Sequence, residues 1–249
     1  MGFGIGVGLS SRDGLLYRDP DAPYNRNCID ARGPCDRTAA TGAPAFVIAG
    51  LILAGGRSTR MGGGDKTLLP LGGRPILTRV IERLRPQVDV LALNANGDAG
   101  RFAAFGLPVL ADAFPGQAGP LAGVLTGMDW AAARSIRQIV TVAADTPFFP
   151  ADLVTGLRAA AHAAVAPIAL AASPGADGGF ALHPTFGLWS VALRDDLRAA
   201  LADGVRRVSE WAGRHRCARA VFHDRGEPFF NVNAPADLDR AAELLAAAR

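Results

Sequence analysis

Residues 45–66, AFVIAGLILAGGRSTRMGGGDK, decide the predicted fold of this chain. The first ten of them form a continuous apolar run, which is typical of a β-strand that is buried on both faces. Five glycines and three cations follow within the rest of the segment. Because ligands of doubly wound sheets bind beyond the carboxyl ends of the strands, this glycine-rich loop lies where a ligand is expected.

The glycine-rich loop, residues 55–66, has the chemistry of a polyphosphate site. Gly55 and Gly56 allow the backbone to approach a ligand closely, and they leave N–H groups that can point at phosphate oxygens. The positive charge that phosphoryl groups attract comes from three side chains, Arg57, Arg60 and Lys66. We therefore predict that a polyphosphate ligand binds at the end of the first strand.

Two common nucleotide-binding motifs do not describe this loop. The P-loop pattern GxxxxGK[ST] requires a glycine directly before the lysine, and Asp65 occupies that position. The dinucleotide pattern GxGxxG also fails, because the glycines at 62–64 have no partner at position 67. GFGIGVG, residues 2–8, has no preceding strand, so it does not indicate a dinucleotide site either.

Beyond the loop, segments with strand character and helix character alternate along the chain. Strands are predicted at 88–94, 107–112, 138–145, 167–173, 185–191 and 218–224. Helices are predicted to begin at Pro75, Pro120, Pro150 and Ala234, and to cover about 195–203 and 205–214. This alternation predicts an α/β fold with three layers (α/β/α), built on a mainly parallel, twisted sheet with right-handed crossovers.

Residues 1–44 differ in composition from the rest of the chain. They contain five acidic and five basic side chains, and their apolar residues follow no regular period. We expect a flexible N-terminal extension over 1–44 and one domain over 45–249. An incorrectly assigned start codon is the alternative explanation of the first segment.

The composition limits the class of protein. Hydrophobic residues make up 49% and charged residues 20% of the 249 residues, and the net charge is +3, which fits a globular enzyme for anionic substrates. Lysines and arginines are not clustered with aromatic residues, so nucleic acid is not an expected partner. The three cysteines form no CxxC pair, and no apolar run is long enough to span a bilayer. We expect a cytoplasmic enzyme without membrane contact.

Three polar residues follow predicted strands and are candidates for ligand contacts. Asn94 ends the second strand, and its amide can both donate and accept hydrogen bonds. Asp112 ends the third strand, where an acceptor-only carboxylate suits hydrogen-bond donors of a ligand. Asp145 follows a wholly apolar strand, and its carboxylate can reach phosphates through Mg²⁺. On local grounds each of them is also explained as the cap of a turn or a helix.

The segment LAGGRSTRMGGGDK, residues 53–66, resembles the corresponding loop of nucleotidyltransferases with a glycosyltransferase-A-like fold. The doubled glycine after Leu-Ala is similar to that of the GTP-using molybdenum cofactor guanylyltransferases, the MobA family, whereas related cytidylyltransferases tend to have Ala-Ala-Gly. The resemblance covers nearly everything from Ala45 onward. It includes the segments LNANGD (93–98), GPLAG (119–123), ADTP (144–147), HPT (183–185), GVRRVSEW (204–211) and FFNVNAPADL (229–238).

This resemblance implies a Rossmann-like nucleotidyltransferase fold and a specific reaction. GMP is transferred from GTP to the terminal phosphate of molybdopterin, or of its molybdenum-bearing form, and pyrophosphate is released. The resemblance implies catalytic roles for Lys66, Arg60 and Asp145, with Asp145 as the ligand of a Mg²⁺ cofactor. The nucleotide-binding residues that it implies are Leu53, Ala54, Gly55, Gly56, Lys66, Asn94, Asp112 and Asp145.

The resemblance also indicates an acceptor side. Asn231 and Asn233 are candidates for contacts with the pterin or the pyrophosphate region, and Arg206 is a candidate for contact with the phosphate of the acceptor. The loop 175–179 is a candidate cover for the pterin. His183 lies in the HPT segment, but the reaction needs no general base, because a phosphate monoester is already a nucleophile. Molybdenum-insertion and molybdoenzyme-maturation proteins are the protein partners that the resemblance suggests.

Two other functions remain open at this point. A related transferase could use CTP, or a sugar 1-phosphate as acceptor, although Gly55 argues against CTP. A non-enzymatic module could bind the nucleotide or carry the cofactor, although the presence of both Lys66 and Asp145 argues against that function.

Overall fold

The computed structural model describes residues 47–55, 65–116, 119–175, 178–223 and 227–247. The predicted extension, residues 1–44, lies outside this part of the chain. Gly56 and Arg60 of the glycine-rich loop also lie outside it. The division of the chain after residue 44 therefore stays a prediction.

The described residues form nine β-strands. These are β1 (Ile48–Leu53), β2 (Pro70–Leu71), β3 (Arg74–Pro75), β4 (Val90–Asn94), β5 (Val109–Leu110), β6 (Gln138–Ala143), β7 (Ile168–Pro174), β8 (Phe180–Ser190) and β9 (Cys217–Val221). Seven of them form the central sheet in the order β5-β4-β1-β6-β8-β7-β9, and β2 pairs with β3 separately. β8 is antiparallel to β6 and β7, whereas the other pairs of the central sheet are parallel, which confirms the predicted mainly parallel sheet.

Six α-helices connect or flank these strands in the described residues. They are α1 (Ile76–Leu84), α2 (Pro120–Ala132), α3 (Leu153–Ala163), α4 (Arg194–Ala202), α5 (Val208–Ala212) and α6 (Pro235–Ala247). Short 3-10 helices cover Lys66–Leu68, Arg85–Gln87, Ala99–Phe105 and Val191–Leu193. Within the described ranges, no helix has the length and apolar character that crossing a membrane requires.

Helices cover both faces of the central sheet, which gives the three predicted layers. α1 and α3 pack on one face and bury one hydrophobic cluster, whereas α2, α4 and α5 pack on the other face and bury a second. β1 contributes to both clusters, because Ile48 and Ile52 face the first and Ala49 faces the second. A strand that is buried in this way on both faces must be apolar throughout, as residues 48–53 are.

The carboxyl ends of β1, β4 and β6 lie side by side, at an edge of the sheet that we call the carboxyl edge (residues 53–55, 94–96 and 143–145). The N–H of Ala54 donates to the carbonyl of Asn94 at 2.8 Å, and the N–H of Ala144 donates to the carbonyl of Leu53 at 3.1 Å. Pairing therefore continues just past the strands, and the residues that follow them are held close together.

The hairpin of β2 and β3 brings the C-terminal part of the described chain back to this edge. Gly72 and Gly73 form its two-residue turn, and their φ angles of 56° and 79° are left-handed values that favour glycine. α6 packs on the hairpin through a small cluster of buried residues, Leu71, Ile76, Val232 and Ala241. The N–H of Val232 also donates to the carbonyl of Asp145 at 2.9 Å. Residues 229–234 thereby lie next to the carboxyl edge.

Several predicted elements differ from the structure at their ends, among them α5, which covers Val208–Ala212 and not 205–214, and β9, which ends at Val221 and not at residue 224. α3 begins at Leu153 and not at Pro150, because residues 151–152 first form a turn. β8 begins at Phe180 and not at residue 185, because it forms a hairpin with β7 in which Phe180 is paired with Pro174. The third predicted strand is reduced to Val109–Leu110, which is the outermost strand and has one neighbour.

Candidate active site

Lys66, Asp145 and Asn233 meet at the carboxyl edge, although they are far apart in the sequence. The ammonium group of Lys66 forms an ion pair with Oδ2 of Asp145, and it donates a hydrogen bond to Oδ1 of Asn233 at 2.6 Å. The side chains of Lys66 and Asp145 are 19% and 14% exposed, so the pair is mostly screened from water but still accessible to a ligand. Partial burial strengthens such charge interactions relative to those of surface pairs.

Asp65 fixes the backbone that carries Lys66. Its Oδ1 accepts hydrogen bonds from the N–H of Thr67 at 3.1 Å and from the hydroxyl of Thr67 at 2.7 Å. This is an N-cap, and it starts the 3-10 helix at Lys66. Thr67 itself is buried, so the turn is anchored in the core. The Lys66 side chain therefore extends from a well-defined turn.

Asn233 is held in place by Asp237. One carboxylate oxygen of Asp237 accepts hydrogen bonds from the N–H groups of Asn233 and Ala234, at 2.7 and 2.8 Å. Ala234 directly precedes α6, and Asp237, in the first turn of the helix, accepts from its N–H as the third helical residue of a capping box does. The segment that presents Asn233 to Lys66 is thus bonded both to α6 and, through Val232, to Asp145.

A second polar cluster surrounds Asp112, at the ends of β4 and β5. Asn94 Nδ2 donates to Asp112 Oδ1 at 2.9 Å and to the carbonyl of Leu110 at 3.1 Å. Asn96 Nδ2 donates to Asp112 Oδ2 at 2.7 Å, and the N–H of Asp112 donates back to Asn96 Oδ1 at 2.9 Å. The two amides fix the plane of the carboxylate. Each oxygen still has acceptor capacity for a ligand.

Asn94 is 3% exposed, and its side chain depends on space that Gly123 leaves open. A methyl group on Gly123, in α2, would lie 2.3 Å from Asn94 Oδ1 and 2.7 Å from Leu53 Cδ2. A Cβ on Gly55 would lie 3.8 Å from the same Asn94 oxygen, which is an ordinary contact distance. Glycine at position 123 therefore allows α2 to pack directly against the amide that holds Asp112.

A pocket of about 400 Å³ lies at the amino-terminal part of β8 and includes His183, His223 and Glu227 in its lining. The imidazole of His183 stacks on the ring of Phe229 with centroids 3.9 Å apart, and its Nε2 lies 2.9 Å from Ser173 Oγ. Burial lowers the pKa of His183 below its ordinary value. The ring is therefore mainly neutral near pH 7.

The start of α2 lies against the loop that carries Arg206. Gly119, the residue before α2, has a φ angle of 68°, and a Cβ on it would lie 3.7 Å from the carbonyl oxygen of Arg206. The guanidinium of Arg206 donates to the carbonyls of Leu201 and Val205 at 2.7 and 2.9 Å. These bonds show that the Arg206 side chain stabilises its own loop.

Asp145 fits the requirements of a Mg²⁺ ligand. In the described part of the chain, no group of three or more His, Cys, Asp or Glu side chains is placed to hold a metal ion by itself. Mg²⁺ commonly binds one or two carboxylates together with substrate phosphates and water. A partly exposed carboxylate at the carboxyl edge is the kind of protein ligand that such binding requires.

The structure brings four of the nine residues predicted for catalysis and nucleotide binding together in two clusters. Lys66 lies with Asp145, and Asn94 lies with Asp112. Leu53, Ala54 and Gly55 lie at the carboxyl edge, whereas Gly56 and Arg60 lie outside the described residues. The contact roles predicted for these residues toward a nucleotide stay predictions.

Three features of the site were not predicted from the sequence. The first is the hydrogen bond between Lys66 and Asn233; the predicted contact of Asn233 with the pterin or the pyrophosphate region stays a prediction. Asn96 and Arg101 were not predicted at all, and both are connected to predicted residues: Asn96 to Asp112, and Arg101 to the Asp65 that precedes Lys66. For Asn96 a signal exists, because it lies in the same strand-end segment as Asn94. Arg101 has no comparable signal.

Known proteins are similar to this chain in sequence and in structure. Residues 50–220 match the family model of the MobA-like NTP transferase domain. A molybdenum cofactor guanylyltransferase of Mesorhizobium japonicum is 52% identical over 204 residues, which cover 80% of this chain and 96% of the relative. A protein of the same name from Cereibacter sphaeroides is 53% identical over 196 residues, which cover 79% and 96%.

Among solved structures, molybdopterin-guanine dinucleotide biosynthesis protein A of Archaeoglobus fulgidus is similar to this chain with a TM-score of 0.64. The match covers 80% of this chain and 99% of that protein, at 22% sequence identity, and so it supports the fold alone. The family itself is established by the sequence matches, which extend over about four-fifths of the chain. The chain therefore belongs to the MobA-like nucleotidyltransferases, within the family of molybdenum cofactor guanylyltransferases.

Proposed function

We propose that this protein transfers GMP from GTP to the terminal phosphate of molybdopterin, or of its molybdenum-bearing form, and that it requires Mg²⁺. The observation that carries the proposal is the cluster of Lys66, Asp145 and Asn233 at the carboxyl edge. Phosphoryl transfer of this type requires little covalent chemistry from a protein, and depends on positioning and on neutralising charge. A fixed cation beside a partly exposed carboxylate supports both requirements.

We propose that Asp112 recognises the guanine base. Guanine presents two neighbouring donors, N1–H and N2–H₂, and a carboxylate can accept from both through its two oxygens. Hydrogen bonds from Asn94 and Asn96 fix the orientation of the carboxylate plane, so the two oxygens are positioned before a nucleotide binds. Adenine and cytosine lack this pair of adjacent donors. A preference for GTP follows from this arrangement.

The proposed reaction has one covalent exchange. An oxygen of the acceptor phosphate attacks the α-phosphorus of GTP in line and forms a new P–O bond. The bond between the α-phosphorus and the oxygen that leads to the β-phosphate breaks, and pyrophosphate leaves with the electron pair. The ammonium group of Lys66 would stabilise the charge that develops on the leaving group, and Asn233 would keep this group oriented. Arg60 is proposed for the same charge stabilisation.

Asp145 is the proposed protein ligand of Mg²⁺. When it is bound, Mg²⁺ supplies Lewis-acid charge neutralisation of phosphate oxygens. In the structure the Asp145 carboxylate is balanced by Lys66, and its backbone carbonyl is bonded by Val232. Both charged groups are therefore positioned by the protein itself.

The acceptor is proposed to bind beside residues 229–233. This segment lines the pocket of His183 at one end, through Phe229, and reaches Lys66 at the other end, through Asn233. Aromatic and imidazole rings in the pocket suit a planar pterin, and the exposed Asn231 lies between the two ends. Arg206 stays a candidate for contact with the phosphate of the acceptor. Molybdenum-insertion and molybdoenzyme-maturation proteins stay candidate protein partners.

Pyrophosphate release tests the proposed function directly. The purified chain is incubated with molybdopterin, Mg²⁺ and one nucleoside triphosphate at a time. We expect release with GTP that depends on both the acceptor and the metal, and that is lost in Asp145→Ala. Release with CTP alone, or only with a sugar 1-phosphate as acceptor, would instead identify a related nucleotidyltransferase. Absence of release under all these conditions would favour a carrier module.

A further inference from the structure

Arg101 connects the two polar clusters of the site. It lies in the 3-10 helix Ala99–Phe105. Its Nε donates to Asp65 Oδ2 at 3.1 Å, its Nη2 donates to the carbonyl of Asn96 at 2.9 Å, and its Nη1 donates to the carbonyl of Asp98. One planar guanidinium therefore binds acceptors on two separate segments of the chain.

The environment of Arg101 keeps this guanidinium in one place. The group lies over the ring of Phe102, 4.4 Å from the ring centroid, and Phe102 is fully buried. The side chains of Arg101 and Asp65 are 28% and 16% exposed, so their ion pair is partly screened from water. Stacking together with several hydrogen bonds in a plane is a geometry that arginine provides and lysine does not.

The two segments that Arg101 bonds each contact a residue with a proposed role. On one side, Asp65 uses its other oxygen, Oδ1, to cap the turn that carries Lys66. On the other side, the Asn96 amide donates to the Asp112 carboxylate and accepts from the backbone N–H of Asp112. Arg101 therefore lies between Asp112, whose carboxylate is proposed to recognise the base, and the turn that positions the ammonium group of Lys66 for the phosphates.

We propose that Arg101 is a positioning residue that couples guanine recognition at Asp112 to the placement of Lys66. This inference rests on the proposed function, because it assigns a base to Asp112 and phosphates to Lys66. Without Arg101, the Asn96 backbone and the Asp65 carboxylate each lose their charged partner. Both the orientation of Asp112 and the turn at Lys66 then become less well defined.

The experiment compares GTP with inosine triphosphate, which lacks the N2 amino group of guanine, in the pyrophosphate assay. Arg101→Ala is compared with the wild-type chain and with Arg134→Ala. Arg134 is a matched control, because it also stacks on a neighbouring ring (4.7 Å from the Trp130 centroid) and bonds a backbone carbonyl, that of Trp130, at 3.0 Å. It lies just beyond the C-terminal end of α2, whereas Gly123, which contacts Asn94, lies near the start of that helix.

We expect Arg101→Ala to lower kcat/KM for GTP by about tenfold or more, as the loss of charged hydrogen bonds predicts. We also expect the ratio of GTP to inosine triphosphate activity to fall toward one. Arg134→Ala should change neither quantity. A thermal unfolding curve shows whether each variant is folded.

Equal losses for both nucleotides in Arg101→Ala, with an unchanged ratio, would overturn the coupling and leave Arg101 a merely stabilising residue. A wild-type chain that does not discriminate between the two nucleotides would also overturn it. If Arg101→Ala does not fold, Arg101→Lys tests the proposal, because lysine keeps the charge but lacks the planar guanidinium. A ratio of GTP to inosine triphosphate activity equal to that of the wild type in Arg101→Lys overturns the proposal. A wild-type chain that releases no pyrophosphate from GTP contradicts the proposed function instead, so the two failures are distinguishable.

Discussion

The ammonium group of Lys66 donates a hydrogen bond to Oδ1 of Asn233 at 2.6 Å while it pairs with the carboxylate of Asp145. Three motifs of the sequence thus converge on one charged group: the end of the glycine-rich loop, the segment after β6 and the segment before α6. Residues that act as such a unit have non-additive effects on rate. We therefore expect a double variant at Lys66 and Asn233 to lose little more activity than the Lys66 variant alone.

Lys66→Ala should lower the rate of pyrophosphate release by about 10²–10³, because a preorganised donor to the developing charge is removed. The measurement is single-turnover pyrophosphate release, with circular dichroism to confirm folding. Arg74→Ala serves as control, because Arg74 forms an ion pair with Glu82 on the surface, where the two side chains are 61% and 54% exposed. Near-normal turnover in Lys66→Ala would reject the role of this lysine.

Asn233→Ala should lower kcat by a smaller factor than Lys66→Ala, because the cation remains but loses its orienting acceptor. About a tenfold loss is expected for one hydrogen bond to a charged group. Asp239→Ala, an exposed substitution in α6, the helix that follows Asn233, is the control and should leave kcat unchanged. If Asn233→Ala changes only the KM for molybdopterin, the asparagine serves the acceptor and not the lysine.

Gly123→Ala should raise the KM for GTP by about tenfold, because the new methyl group displaces Asn94 and so releases the Asp112 carboxylate. Gly127→Ala is the matched control in the same helix. Its methyl group would lie 2.6 Å from Leu51 Cδ2, in the apolar core and not against Asn94.

Both glycine variants should lower the free energy of unfolding, because overpacking costs about 1–3 kcal/mol and outweighs the higher helix propensity of alanine. Only the variant at position 123 should change the KM for GTP. Equal KM values in the two variants would contradict the role of Gly123, and urea unfolding measures the stability effect separately.

His183 should make the protein less stable in mild acid. Burial lowers the folded-state pKa of this residue below the ordinary value of 6.5. Between those two values the unfolded chain binds more protons than the folded chain, so the free energy of unfolding decreases as the pH falls below about 6.5. At higher pH the imidazole is neutral in both states and the full stability is present.

Urea unfolding of the wild-type chain and of His183→Gln at about pH 7.5 and pH 5.5 measures this effect. Glutamine can still bond Ser173 but does not titrate. His223 and Glu227, which line the same pocket, are unchanged in this variant. The wild-type chain should lose more stability than the variant between the two pH values, and equal losses would show that His183 is not responsible.

Much of the fold and part of the site could be predicted because parallel strands share a carboxyl edge. A buried strand followed by glycines and cations indicated where the ligand site begins, and Asp145 after another buried strand had to lie at the same edge. Asn94 and Asp112 were both predicted at strand ends, and they lie close together because β4 and β5 are parallel neighbours. The parallel direction follows from the alternation of elements, whereas the strand order was not predicted and comes from the structure.

Other relationships depend on packing between distant segments, and no local pattern indicates them. The bond between Arg101 and Asp65 requires the 3-10 helix after β4 to lie against the turn before β2. The antiparallel direction of β8 is a different case, because a signal was present. β7 ends at Pro174 and β8 begins at Phe180, and this connection is too short for a parallel crossover, which needs about a dozen residues. Because this strand was predicted to begin at residue 185, the predicted connection was longer and did not indicate an antiparallel pair.

The contact of residues 229–234 with the carboxyl edge has a consequence for biosynthesis. A ribosome produces the chain from its amino end, so Lys66 and Asp145 leave the exit tunnel well before Asn233 and α6. A nascent chain that stops before residue 229 contains the ion pair but lacks both the Asn233 acceptor and the helix that packs on the β2–β3 hairpin. Translation through α6 is therefore required before the chain has the complete cluster of Lys66, Asp145 and Asn233 together with the helix that packs on the hairpin.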